Sequence, residues 1–327
     1  MSHLVFSTNA VFPLILMAVA GYLCKRLGLC SKELAAGMNR LVFRVFLPVM
    51  LFLNIYKIEK PTSIDLTYVW YTLGITGILF LISIPVTSLI TKEDGQRGVL
   101  IQATFRSNFA LVGIPLATAL FGSDGSMIAT LLSAFLIPLY NILAVICLTV
   151  FSKKEDKHID FSKLLMGIVK NPLIQAIALG GVALLVRAIF VRCDLSFRLS
   201  DVTFLYKTLN SLSSIATPLS LVVLGAQFEF SAIASLKKQL LFGVATRAVI
   251  VPVVGLGIAY LLGCFNGAHF AAFVAAFATP IAVSSVPMAQ EMGADSALAG
   301  QLVVWTTLLS AVTIFLSATI LKAAGIF

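Results

Sequence analysis

Ten apolar runs, each long enough to cross a lipid bilayer as a helix, follow one another along this chain. They fall at roughly 4–24, 34–56, 66–90, 97–121, 127–151, 171–191, 204–227, 239–263, 268–290 and 297–323. A membrane-crossing helix takes about 20 mostly apolar residues, so the runs consume nearly all of the 327 residues. The chain is 59% hydrophobic and 11% charged, against about 25% charged in a soluble domain. It has too few polar groups to cover itself, and a bilayer must be its solvent.

The formal net charge is +9. On a soluble protein that excess would point to nucleic acid. Here the basic residues lie between the apolar runs and no basic domain exists, so nucleic acid is excluded as a partner. Lys and Arg instead report orientation through their excess in cytoplasmic loops. With the N-terminus outside, the cytoplasmic loops hold Lys25, Arg26, Lys32, Lys92, Lys153, Lys154, Lys157, Lys163, Lys170, Lys237 and Lys238. The outer loops and tail hold Lys57, Lys60, Arg192, Arg198 and Lys322. Eleven against five predicts a multi-pass protein of the cell (inner or plasma) membrane with both termini outside the cytoplasm. The first run lacks a basic segment before it and has Lys25 and Arg26 after it. It therefore reads as a retained helix and not a signal peptide. Five cysteines form no CxxC or Cys/His cluster, so neither a metal nor a redox cofactor is expected. Cys193 and Cys264 fall on the outer side, where one disulfide is open to them, although small apolar wall residues are the simpler reading.

Two stretches read as copies of each other. Asn108 to Asp124 is NFALVGIPLATALFGSD, and Pro280 to Asp295 is PIAVSSVPMAQEMGAD. Asn108 precedes Pro115 by seven residues, and Pro280 precedes Pro287 by seven. Each copy then runs to a Gly and an Asp and into a long apolar span. A Pro inside a helix removes a backbone donor and clashes one turn earlier. In hydrocarbon the freed groups need protein or a water-filled cavity. Spans four and nine are therefore expected to unwind and cross near the bilayer midplane. Paired interruptions of this kind are the best sequence pointer to a transporter's substrate site. Five spans separate the copies, so the halves must lie in opposite senses. Asn39 and Pro48 in span two answer Asn210 and Pro218 in span seven. The expected fold is an all-α polytopic membrane protein of ten transmembrane helices, an inverted 5+5 repeat with crossing broken helices 4 and 9. Its parts are 1–152, a cytoplasmic hinge loop at 153–170, and 171–327. A short interfacial helix is expected over Ile159–Lys170.

The 14 Asp and Glu all fall at span ends or in loops, which argues against a cation antiporter working through embedded carboxylates. Two arginines lie deep: Arg106 in span four and Arg247 in span eight. Either one is a candidate for binding a carboxylate bidentately; the alternative is that it caps freed carbonyls. Arg40, Arg44, Arg187 and Lys207 are placed nearer span ends, where long basic side chains snorkel. Gln102, Tyr140, Asn141, Asn210 and Gln227 are polar positions that join helices or line a cavity.

The chain resembles the auxin efflux carrier family of permeases, in its bacterial branch. The resemblance is carried by GYLCKRLG (Gly21 to Gly28), NRLVFRVFLPVMLF (Asn39 to Phe52), NFALVGIPLATALFG from Asn108, the pair Asn171–Pro172, TPLSLVVLGAQF (Thr217 to Phe228) and PMAQEMGADSALAGQLVVWTTLLS from Pro287. It implies an inverted-repeat fold like that of the bile-acid symporters and NhaA, and transport of small organic anions, auxin in plants and dicarboxylates in bacteria. The family's crossover Asn corresponds to Asn108 and its crossover prolines to Pro115, Pro280 and Pro287. Its polar position in span five corresponds to Asn141. Many members carry a Thr-Gly pair after the crossover Asn, and here Phe109 and Ala110 follow; auxin is not transferred.

The expectation is a secondary carrier of a small organic anion, not an enzyme, since no Ser/His/Asp or HExxH constellation is present. Its expected substrate site is Arg106, Ser107, Asn108, Pro115, Asn141, Arg247, Pro280, Ser284, Ser285 and Pro287. A sodium-coupled symporter of the bile-acid type is the alternative. H⁺ and Na⁺ are the candidate coupling ions, and a homodimer is among the assembly states open to it.

Overall fold

The computed structural model describes residues 2–57, 66–151, 166–195 and 197–327, with side chains from Phe12 onward. These are helical throughout, apart from connecting turns and one isolated β-bridge. The hinge expected at 153–170 and the interfacial helix over Ile159–Lys170 lie mostly outside the described residues. The family of elements begins with α1 (Ser2–Arg26), α2 (Lys32–Leu41), α3 (Leu47–Tyr56), α4 (Thr67–Ile90), α5 (Asp94–Phe105) and α6 (Ile114–Val150). It continues with α7 (Pro172–Arg192), α8 (Thr203–Gln227), α9 (Lys237–Ala245), α10 (Val251–Leu262), α11 (Gly267–Phe277), α12 (Ser285–Glu291) and α13 (Ser296–Ala323).

Among the described residues, seven continuous helical runs are long and apolar enough to cross a membrane. Three of them pass through a π-helical turn: Val42–Phe46 joins α2 to α3, Phe109–Gly113 leads into α6, and Thr246–Ile250 joins α9 to α10. The run Phe109–Val150 has 42 residues, about 63 Å of helix, twice the hydrocarbon thickness. It folds back on itself. Phe121 leaves the helical region and Gly122 adopts φ 59°, ψ −142°, a conformation closed to residues with a Cβ. A Cβ on Gly125 would stand 2.2 Å from the Ala117 carbonyl oxygen, an approach that residues eight apart in a continuous helix cannot make. Spans four and five are thus joined by a turn of minimal length.

Burial sorts the elements. All of α11 is buried, as is α5 from Gly95 to Phe105 except Arg97. Eleven residues give α11 only about 16 Å of length, too short to cross, so it sits inside protein. Long helices instead present apolar faces outward, with Leu81 63%, Leu185 65% and Leu261 83% exposed, as a bilayer requires. Arg44 corrects the sequence reading. It stands at the centre of the run Lys32–Tyr56, within the π-turn, and is exposed. Arg187 is not free to snorkel: its Nη1 donates to the Tyr56 carbonyl at 2.8 Å, at the C-terminus of α3. Cys193 and Cys264 are both free.

The closest helix contact joins α1 and α8. A Cβ on Gly21 would lie 1.9 Å from the Val222 carbonyl oxygen, and one on Gly225 would lie 1.8 Å from that of Ala18. Each glycine thus receives the other helix's backbone, the small-residue packing that substitutes for a hydrophobic driving force in lipid. Gly21→Val and Gly225→Val are each expected to destabilise the protein by more than the ~1–3 kcal/mol of ordinary overpacking, read as lost detergent-solubilised monodisperse protein. Gly74→Ala meets nothing within 4 Å and is expected to leave the melting temperature unchanged or raised.

Candidate functional site at the crossing of two broken helices

Spans four and nine both break. α5 ends at Phe105; Arg106 is extended (φ −94°, ψ 119°) and Asn108 is non-helical (φ −82°, ψ 55°) before the π-turn resumes the span. α11 ends at Phe277, and the chain stays unwound until α12 begins at Ser285. The two unwound segments meet. Asn108 N–H donates to the Pro280 carbonyl at 2.8 Å, and Ser107 pairs with Ile281 as an antiparallel bridge.

Backbone groups released by the breaks find partners nearby, as burial in low dielectric demands. The Asn108 carbonyl accepts from Val112 and Gly113 N–H at 3.1 and 3.3 Å. Ile281 N–H reaches the Thr306 hydroxyl at 3.3 Å. Arg247 Nε donates to the Thr279 carbonyl at 2.8 Å and its Nη2 to that of Ala276 at 3.0 Å. Arg247 therefore takes the carbonyl-capping role at the open end of α11. Pro280 lies in the unwound segment, Pro115 in the first turn of α6, and Pro287 in the first turn of α12. The prolines act on the backbone: they stand where a donor is absent or unneeded.

Arg106 is the centre of the side-chain geometry. It is 2% exposed. Its Nη1 donates to Gln102 Oε1 at 2.9 Å and to Met288 Sδ at 2.8 Å. Its Nη2 donates to Asn141 Oδ1 at 2.8 Å and Ser284 Oγ at 2.7 Å. One guanidinium thereby ties α5, α6, the unwound segment and α12 together. Ser107 Oγ donates to Tyr140 Oη at 3.1 Å alongside. Every acceptor on Arg106 is neutral. Among the described residues the ion pairs are Lys32–Glu229 and Arg97–Asp94, so neither deep arginine has a carboxylate within 4 Å.

Several polar atoms near the crossing lack a partner: Asn108 Nδ2, Gln102 Nε2, Arg247 Nη1 and Ser285 Oγ. Three are donors and the fourth is a hydroxyl. Of the expected site residues, the structure brings Arg106, Asn141 and Ser284 into direct contact, and Asn108 onto Pro280. Arg247 reaches the same unwound segment through its backbone. Phe109 is 1% exposed and joins the apolar core, beside Gly113. Sequence reasoning missed Met288, whose thioether reads as an apolar position, and the hydroxyl of Thr306, one of several on α13. A polar cleft of about 260 Å³ adjoins α12, lined by Gln227, Glu229, Val286, Gln290, Ser296 and Gln301 among others.

Removing Arg247 frees two buried carbonyls, each costing about 1–3 kcal/mol when left unpaired. Arg247→Met is expected to lower the melting temperature of the purified protein clearly, and Arg247→Lys less. Lys207→Gln, at an exposed position, is expected to leave it unchanged.

A family model described as "Membrane transport protein" matches residues 6–317. An uncharacterized transporter of Methanothermobacter thermautotrophicus is 25% identical over 319 residues, covering 96% of this chain and 98% of that protein. An uncharacterized transporter of Methanocaldococcus jannaschii is 26% identical over 252 residues, covering 72% and 71%. With apolar crossing helices and a family match over nearly its whole length, the chain is a multi-pass membrane protein that belongs to the membrane transport protein family, the auxin efflux carriers.

Proposed function

We propose that this protein is a secondary carrier of a small organic anion, working by alternating access, with its substrate site at the crossing of the two broken helices. The observation that carries the reading is the set of unspent donors around two deep arginines without carboxylate partners. A buried guanidinium is costly unless its charge is answered. Asn108 Nδ2, Gln102 Nε2 and Arg247 Nη1 have no acceptor, and a carboxylate supplies acceptor oxygens to such donors. Arg106 balances the substrate charge, Asn141 and Ser284 hold Arg106, and Ser285 with Ser107 completes the polar lining. The backbone of Pro280, and the helix restarts at Pro115 and Pro287, keep the crossing open to a ligand. The cleft beside α12 is the route to it from one side.

In this reading the ten spans form an inverted 5+5 repeat, 1–152 and 171–327, joined by a cytoplasmic hinge at 153–170. Spans one, two, six and seven move against the unit that holds the crossing. Both termini lie outside the cytoplasm of the cell membrane, a placement supported by the distribution of Lys and Arg. A C-terminal alkaline phosphatase fusion is expected to be active, and a C-terminal green fluorescent protein fusion dark; the reverse pattern would turn the topology over.

The unpartnered hydroxyl of Ser285 and the unwound carbonyls nearby favour a second reading, in which Na⁺ is the coupling ion. Oxygen ligands without carboxylates suffice for a cation at a broken helix. Transport unchanged when K⁺ replaces Na⁺ would dispose of it, leaving H⁺ coupling or facilitated diffusion.

A ligand that binds only the folded state raises its melting temperature. A screen of small mono- and dicarboxylates, with and without Na⁺, is expected to return at least one that stabilises the wild type. The same compound is expected to leave Asn108→Ala unshifted, and that variant to lose uptake and efflux while reaching the membrane in normal amount. Full transport by Asn108→Ala would sink the site assignment.

A further inference from the structure

A crevice of about 150 Å³ runs between α1, α8 and α13. Its walls include Leu14 and Val19 of α1, Leu224 of α8 and Val304 of α13, and Tyr22 and Phe230 line it as well. Apart from Thr307 and Tyr22, no lining side chain carries a polar group. Along α1 it extends from Leu14 to Tyr22, nine residues with about 12 Å of helical rise between the first and the last. Val19 is 45% exposed, and its neighbours Leu16 and Leu23 are 60% and 52% exposed. The crevice is therefore open on the flank where α1 meets hydrocarbon.

The end near Tyr22 is built differently. Tyr22 packs edge-on against Phe230 at 5.7 Å, and Phe230 against Phe228 at 5.0 Å. The Tyr22 hydroxyl accepts from Arg26 Nε at 2.8 Å, and the guanidinium carbon lies 5.2 Å from the ring centre. Lys25 Nζ donates to the Phe228 carbonyl at 2.9 Å. This is an aromatic collar with a fixed guanidinium on its rim, at a helix end where aromatic and basic residues mark the headgroup level. Arg26 is exposed and, among the described residues, has no carboxylate partner within 4 Å.

We propose that the crevice is a specific lipid site that takes one acyl chain of an anionic phospholipid, with the lipid phosphate on Arg26. A volume of about 150 Å³ is too small for a partner helix, which is about 10–12 Å across. A small carboxylate would find almost no donor along the walls. An acyl chain matches the apolar chemistry of the walls, and the bilayer supplies it at the open flank. The guanidinium matches phosphate geometry, and an anionic headgroup gains from each basic residue at the surface. The site does not depend on the transport reading, because none of its residues belongs to the crossing.

The test is native mass spectrometry of the detergent-purified protein, re-lipidated with either phosphatidylglycerol or phosphatidylethanolamine. The wild type is expected to retain phosphatidylglycerol about fivefold more than phosphatidylethanolamine, the weight of one basic residue at an anionic surface. Arg26→Gln is expected to lose that preference and Arg26→Lys to keep most of it. Val19→Trp, which fills the crevice from its exposed side, is expected to lose retention of both lipids. Val304→Trp repeats the block from the opposite wall, so a folding fault in one variant does not decide the outcome. Equal retention of the two lipids by the wild type overturns the proposal. Retention by both tryptophan variants equal to that of the wild type overturns it too.

Discussion

A backbone that leaves the helical conformation inside a membrane must have its hydrogen bonds met by protein. Each unmet group costs several kcal/mol in hydrocarbon. Two segments of this chain, Arg106–Asn108 and the stretch from Ala278 to Ser284, leave the helix in that environment. Much of the molecule is arranged around them. They pair with each other through Asn108 and Pro280, Thr306 of α13 serves Ile281, and Arg247 of the α9–α10 run serves the end of α11. The half-helices α5 and α11 are the most thoroughly buried elements because only there can such a pairing exist.

Two arginines enter this arrangement with different tasks. Arg247 spends two of its donors on main-chain carbonyls, so its charge helps hold the break open. Arg106 spends its donors on side chains of α5, α6, α12 and the unwound segment. Side-chain partners exchange more readily than backbone ones, since rotamer changes suffice. Arg106 can therefore change its partners, whereas Arg247 cannot release Ala276 and Thr279 without leaving their carbonyls unpaired. The two residues have the same chemistry and equal burial, and the partners divide the roles.

A second level of order lies outside the crossing. Glycines 21 and 225 let α1 and α8 touch backbone to backbone, and the turn at Gly122 returns the chain within its own length. These contacts give rigid units without polar glue. Between α1, α8 and α13 the fit is looser, which leaves the apolar crevice and its basic rim.

The apolar runs were legible in the sequence because hydrocarbon imposes a length and a composition that few other settings imitate. The interruptions around Asn108 and Pro280 were legible too, because proline and clustered polar residues act locally. Asn141 was set apart from Asn210 by the family resemblance and by nothing in its neighbours along the chain, and the structure bonds Asn141 to Arg106 and Asn210 to Lys57 at the end of α3. Arg44 lies at the middle of its apolar run in the sequence as well as in the structure, and only the structure shows that it is exposed there. Met288 and Thr306 carried no signal, since their roles come from what faces them. The sequence by itself determined that the chain lives in a membrane and where two of its helices must break. Tertiary structure alone decided which groups answer those breaks, because a side chain's partner is set by distances between separate segments, from Thr306 for Ile281, 25 residues away, to Met288 for Arg106, 182 residues away.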